Sequence, residues 1–142
     1  MARKAIKIFL DSNVLLSALL SEKGAPRVIL DILCLDLPLV KGVTGEYSLI
    51  EIERNIKTRL LAILDIYQSY FPKLCLEIIP IPPIETLKPY IGMIAAKDAP
   101  VLASAVSSGA DYLVTGDKNF LTSLKIMRLS PLKWSVHRSS FI

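Results

Sequence analysis

Residues 8–19 read IFLDSNVLLSAL. A β-branched, aromatic and aliphatic run leads into Asp11, and the apolar positions after Asn13 then crowd together as they do on a buried helix. Ala5 to Leu10 therefore predicts a strand, and any of Asp11, Ser12 or Asn13 can cap the helix that follows. An acid that closes a buried strand and opens a helix stands at the carboxyl edge of a sheet, where open α/β folds build their sites. The same grammar returns further along the chain. Residues 111–120, DYLVTGDKNF, predict a buried strand from Tyr112 to Thr115 that closes at Gly116-Asp117. Residues 97–106, KDAPVLASAV, predict a helix starting at Asp98, with small side chains that let it pack closely on a sheet and Gly109 to stop it.

Between these landmarks, Gly24-Ala25-Pro26 predicts a break and a helix with Pro26 in its first turn, running to Leu37 before Pro38. A short strand is expected over Pro38 to Val43. Thr44-Gly45 then begins a long helix with Leu49, Ile52, Ile56, Leu60 and Ile63 on its apolar side and Ser48, Glu51, Asn55 and Thr58 on the opposite, polar stripe. A second helical stretch ends at Phe71-Pro72. Leu76 to Ile81 predicts a strand closed by Pro82-Pro83, and Ile126 to Leu129 a last one. Strands alternating with helices define the α/β class. The expected architecture is one domain over residues 1–142, a three-layer α/β/α sandwich with a mostly parallel sheet of four or five strands. Ser135 to Ile142 reads as a loose tail.

Composition narrows the chemistry. The chain has 142 residues, of which 52% are hydrophobic and 21% charged, and its mean hydropathy is +0.48. That is one domain's length, with a full core and apolar surface to spare for an oligomer interface. The helix from Pro26 to Leu37 and the stretch Leu60 to Tyr70 are the candidates for that interface. No apolar stretch reaches the roughly 18 unbroken residues of a membrane span; Asp31, Asp36 and Pro38 interrupt the longest. The N-terminus lacks the cleavage pattern of a secretory signal, so a cytoplasmic location is expected. Cys34 and Cys75 stand apart without metal-ligand spacing. His137 is the one histidine. Neither zinc nor a histidine-based nucleophile relay fits, which leaves carboxylates to carry catalysis.

Four acids sit where strands end or helices begin: Asp11, Glu51, Asp98 and Asp117. Singly, each has a bland explanation. Asp11 and Asp98 are good helix caps, Glu51 is a glutamate on a polar stripe with Glu53 beside it, and Asp117 suits an Asx turn. Together, the aspartates fall at strand–helix junctions from which side chains can converge over one sheet edge. Converging carboxylates repel, and a fold tolerates them when a hard cation neutralises the set. Net charge is +4, so with the −4 of these four set aside the remainder carries +8. A positive body around a negative pocket suits a polyanion approaching through bound cations.

These residues resemble the PIN domain. IFLDSNVLLSAL, the helical glutamate in SLIEIERN, and KDAPVLASAVSSGADYLVTGDKNFL together cover about residues 6–131. Residues 98–121 carry the most specific match, DSN the next, and the helical glutamate the weakest. Within the family the chain is most similar to VapC-like toxins of type II toxin–antitoxin systems. The resemblance implies an Mg²⁺- or Mn²⁺-dependent endoribonuclease that leaves 3′-hydroxyl and 5′-phosphate ends. It places catalytic and metal-binding roles on Asp11, Glu51, Asp98 and Asp117, with Asn13, Thr115 and Asn119 in support. It also implies an RNA substrate, a small cognate antitoxin and a homodimer. Ser12 stands where threonine is frequent and keeps the hydroxyl. Asn119 stands where many members carry another aspartate, which removes charge and favours a single metal.

Two other readings compete with the nuclease. A nucleic-acid-binding PIN module with weak or no catalysis is the first, and Asn119 is the feature in its favour. A haloacid-dehalogenase-like phosphatase with Asp11 as nucleophile wants an aspartate two residues on, where this chain has Asn13. Arg54, Lys57 and Arg59 after Glu51, and Lys118, Lys125, Arg128 and Lys133 after Asp117, are candidate phosphate contacts, each group equally readable as a solvated face. Tyr112 and Phe120 read as core. Trp134 reads as packing near the terminus, with base stacking the alternative.

Overall fold

The computed structural model describes residues 5–89, 99–117 and 120–129, with backbone only at 117, 120–125 and 127. Strand β1, Ile6–Leu10, is central. It pairs in parallel with β2, Val40–Gly45, on one side and β4, Tyr112–Asp117, on the other. Strand β3, Glu77–Ile79, joins β2 in parallel, and β5, Phe120–Arg128, closes the other edge antiparallel to β4. The order is β3-β2-β1-β4-β5, so the expected mostly parallel sheet is five-stranded, with four parallel strands and one antiparallel edge.

The carboxyl half of β1, from Ile8 to Leu10, is apolar on both faces because both are covered there. Ile8 and Leu10 enter a core with Val14, Leu15 and Leu19 of helix α1 (Ser12–Leu20), Leu30 and Leu33 of α2 (Ala25–Cys34), and Ile52 and Ile56 of α3 (Glu46–Arg59). Phe9 points the other way, into a second core with Val43, Leu113 and Leu102 and Ala105 of a later helix, Ala99–Ser107. Two short helices lie between: α4 (Leu64–Tyr70) and α5 (Ile84–Leu87). The helix Ala99–Ser107 is thus α6. The expected small residues are there, and Ala99, Ala103, Ser104 and Ala105 are buried against the sheet.

Several boundaries differ from the sequence reading, each for a reason outside local propensity. α2 stops at Cys34, short of Leu37, because Asp36 takes a left-handed conformation (φ 52°) and Leu37 precedes a proline. β2 is displaced two residues toward Gly45 by its pairing with β1. α3 ends at Arg59, and a 3₁₀ turn, Leu61–Ile63, then buries Ile63. β3 is three residues, shorter than Leu76 to Ile81, since its outer side has no partner strand among the described residues. β5 begins at Phe120, six residues before the apolar stretch, because pairing with β4 extends it through polar sequence. Tyr112, expected in the core, is half-buried.

α3 carries the most consequential correction. Ser48 does not lie on an exposed polar stripe: with 1% exposure it shares the buried side with Ile52 and Ile56, at i, i+4 and i+8. The helix starts at the sheet edge, so its first turn is covered as deeply as its middle. Glu51 lies at the flank of that buried stripe, partly exposed.

A second set of polar contacts fastens α2 and α4. The Arg27 guanidinium lies over the Tyr70 ring at 4.8 Å, donates to the Ala18 carbonyl at 3.0 Å and faces Asp31 at 3.5 Å. The Tyr70 hydroxyl donates to the Asp31 carboxylate. Burial, then that bond, pushes the Tyr70 hydroxyl above its ordinary pKa. Tyr67 is pushed up to about 12 by burial first, then by the charge of Glu53, to which it donates at 3.4 Å. The outer face of α2 stays apolar and exposed, with Val28 at 55% and, just past the helix, Leu35 at 66%.

Candidate functional site

At the carboxyl edge of β1, Asp11 follows the buried Leu10 and stands at the N-cap of α1. Its Oδ1 accepts the Ser12 backbone N–H at 2.7 Å. Its own backbone N–H continues the parallel ladder, donating to the Val114 carbonyl at 3.1 Å. The cap and ladder explain why the chain turns here, and they hold the carboxylate in the positive field of the helix N-terminus. Thr44, fully buried at the end of β2, donates its hydroxyl to the Leu10 carbonyl at 2.8 Å and pins the residue before Asp11.

Glu51 arrives from α3, one and a half turns below the sheet edge. Its Oε1 lies 3.4 Å from the Ser12 hydroxyl, and the same hydroxyl lies 3.4 Å from Asp11 Oδ1. Two carboxylates 40 residues apart in sequence therefore meet within two hydrogen-bond lengths, with one buried serine between them. Asn55 steadies this stretch of α3 by donating to the Glu51 carbonyl at 2.8 Å, and the Arg59 guanidinium donates in turn to Asn55. Arg54, Lys57 and Arg59 are all exposed.

β4 brings the third element. It lies beside β1 with Leu10 opposite Val114, so Thr115, Gly116 and the Asp117 backbone extend past the strand end next to α1. The fit there is close. A Cβ on Gly116 would sit 3.2 Å from Asn13 Cβ and 3.5 Å from its carbonyl carbon, so glycine lets the end of β4 lie against the first turn of α1. Asn13 is exposed beside it, and Thr115 is half-buried. The structure thus joins Asp11 and Glu51 through Ser12 and sets Asn13 against Gly116, between Thr115 and the backbone of Asp117 in β4. Asp98, Asn119 and the Asp117 side chain lie outside the described residues, as do the side chains of Phe120 and Lys125 and the whole of Lys118, Lys133 and Trp134. Arg128, at the far end of β5, is exposed. Among the described residues no three acidic, histidine or cysteine side chains gather as a metal cluster.

The PIN domain family model matches residues 7–119. This chain belongs to the PIN domain family. The match runs from β1 to just beyond β4 and so contains all four acids. No curated protein and no solved structure matches the chain. PIN domains are in general nucleases, and they typically use divalent metal ions. The donors present fit such an ion: carboxylate and hydroxyl oxygens are the hard ligands that Mg²⁺ and Mn²⁺ accept. Asp11 and Glu51 are the described side chains that would hold it, and when bound it supplies charge neutralisation and an acidified water.

Two participants escaped the sequence reading. Ser12 was visible as a helix-capping candidate, but nothing in its spacing announces contact with residue 51. Thr44 was read as a helix start; a threonine ending a strand immediately before glycine was the available signal for its hydroxyl bond across β1.

Among the described residues no helix is long and apolar enough to cross a membrane.

Proposed function

We propose that this PIN domain is a divalent-metal-dependent endoribonuclease, the toxin component of a toxin–antitoxin pair, acting in the cytoplasm. Asp11, Asp98 and Asp117 hold Mg²⁺ or Mn²⁺, and Glu51 is a further ligand or orients the attacking water. Asn13 and Thr115 support the set. The observation that carries this reading is the meeting of Asp11 and Glu51 across one serine at the carboxyl edge of β1, in a chain whose family is one of nucleases. The exposed bases of α3 supply cations on the element that carries Glu51, suited to an RNA backbone. The exposed apolar face of α2 is the surface assigned to a second copy or a cognate antitoxin.

The test is cleavage of end-labelled total RNA with Mg²⁺ or Mn²⁺, with EDTA, and with Asp11→Asn. Discrete products that vanish in both controls are expected. RNA left intact by folded protein in every lane defeats the nuclease reading and favours the alternative, a PIN module that binds nucleic acid without turnover, for which Asn119 is the sequence feature.

A further inference from the structure

Ser12, in the first turn of α1, has a side chain that touches both carboxylates. It is 5% exposed, and its hydroxyl lies 3.4 Å from Asp11 Oδ1 and 3.4 Å from Glu51 Oε1. Both are long hydrogen-bond contacts beside the roughly 2.5–3.0 Å usual for O–H···O. A serine hydroxyl carries one proton. It can donate to one carboxylate at a time and offers the other only a lone pair. The Ser12 hydroxyl therefore has one hydrogen to offer the two carboxylates that face it.

The ordinary reasons for a serine at this position do not account for that geometry. Capping of α1 is already done by Asp11, which accepts the Ser12 backbone N–H at 2.7 Å. The hydroxyl does not turn back onto the helix; among the described residues its contacts are the two carboxylates. Nor does a need for bulk explain it, since a serine is barely larger than an alanine.

We infer that Ser12 is a positioning residue: its hydroxyl sets the separation of Asp11 and Glu51 and aims both carboxylates for a divalent cation. The inference rests on the metal-site reading above and adds to it a residue that would touch neither metal nor RNA. A hydroxyl shared between two ligands acts as the outer groups of metal sites do, fixing ligand orientation without coordinating, and losing such a group typically weakens metal binding about 10–100-fold. Threonine keeps the hydroxyl, whereas valine matches threonine in shape and lacks it.

The experiment is Mn²⁺ binding to the full chain, read from the free-Mn²⁺ electron paramagnetic resonance signal without RNA. Wild type is compared with Ser12→Ala, Ser12→Thr, Ser12→Val and Asp11→Asn, each checked for folding by thermal unfolding. Ser12→Ala and Ser12→Val are expected to weaken Mn²⁺ binding about 10–100-fold, with Ser12→Thr restoring most of it. If Ser12→Ala folds poorly, the threonine–valine pair makes the same comparison. Mn²⁺ held as tightly by Ser12→Val as by Ser12→Thr, while Asp11→Asn loses it, overturns the role of Ser12 and leaves the metal site standing. Wild-type binding by Asp11→Asn overturns both.

Discussion

Two polar clusters flank α1, and they are built on opposite principles. At its carboxyl end, Arg27, Asp31 and Tyr70 close on one another: the guanidinium covers the ring, the phenol donates to the carboxylate, and charge meets charge. At its amino end, Asp11, Ser12 and Glu51 converge with one side-chain hydrogen between two carboxylates. The first cluster is complete within the chain and joins α2 to α4. The second brings two carboxylates to one sheet edge, an arrangement that a bound hard cation would favour. The contrast separates a fastening from a site.

Asp11→Asn should have the largest effect on the open cluster, lowering metal-dependent RNA cleavage by at least about 100-fold, the upper end of what losing even a group behind a ligand costs. The neutral amide keeps the shape and can still accept the Ser12 N–H, so thermal unfolding should change little. Cleavage at the wild-type rate would erase the distinction between the two clusters. Below both of them, Ile56→Ala should destabilise the fold by about 2–5 kcal/mol in denaturant unfolding, because Ile56 is 1% exposed in the core that α1 and α3 share. A loss under 1 kcal/mol would mean that α3 is not held by that core.

Gly116→Ala sharpens the geometry of the open end. The added methyl meets Asn13 Cβ at 3.2 Å, so the end of β4 and the first turn of α1 must give way by a few tenths of an ångström, at a cost of about 1–3 kcal/mol. Cleavage should fall with little loss of secondary structure by circular dichroism. On the closed cluster, Tyr70→Phe should cost about 1 kcal/mol of stability and leave cleavage unchanged, since it removes a hydrogen bond remote from Asp11. A drop in activity there would show the two ends of α1 to be coupled.

The smallest expected effect is a pH dependence beside the closed cluster. Tyr67 ionises near 12 in the fold against 10 ordinarily. A raised tyrosine pKa means that the fold favours the neutral phenol. Its contribution to stability is complete below pH 10 and is lost as pH rises through 12. Ultraviolet titration of the phenolates should show late-ionising tyrosines of which one is lost in Tyr67→Phe while that of Tyr70 remains, and the unfolding midpoint of wild type should decline more steeply above pH 10 than that of the variant.

Much of this was legible from residues alone. Asp11 at the end of β1, Pro26 in the first turn of α2, and the small residues of α6 follow from backbone preferences and side-chain size, which act within a few residues. The alternation of strands and helices implied a parallel sheet for the same reason: parallel neighbours need a crossover between them. Family membership was legible in the short fragments that carry the acids.

Other features belong to the tertiary structure. Periodicity put Ser48 and Glu51 on one polar stripe, yet only the docking of α3 at the sheet edge buries Ser48 and leaves Glu51 at the flank. β5 begins in polar sequence because β4 offers it hydrogen bonds, and α2 ends early at an aspartate in a left-handed turn. The contact of Ser12 with Glu51 spans 39 residues. Local sequence determines which residues begin and end elements, because dihedral preference, capping and hydrophobic period are short-range forces. Which carboxylates share a hydroxyl is decided by how β1, β2 and α3 stack, since burial and pairing join residues that the chain itself keeps far apart.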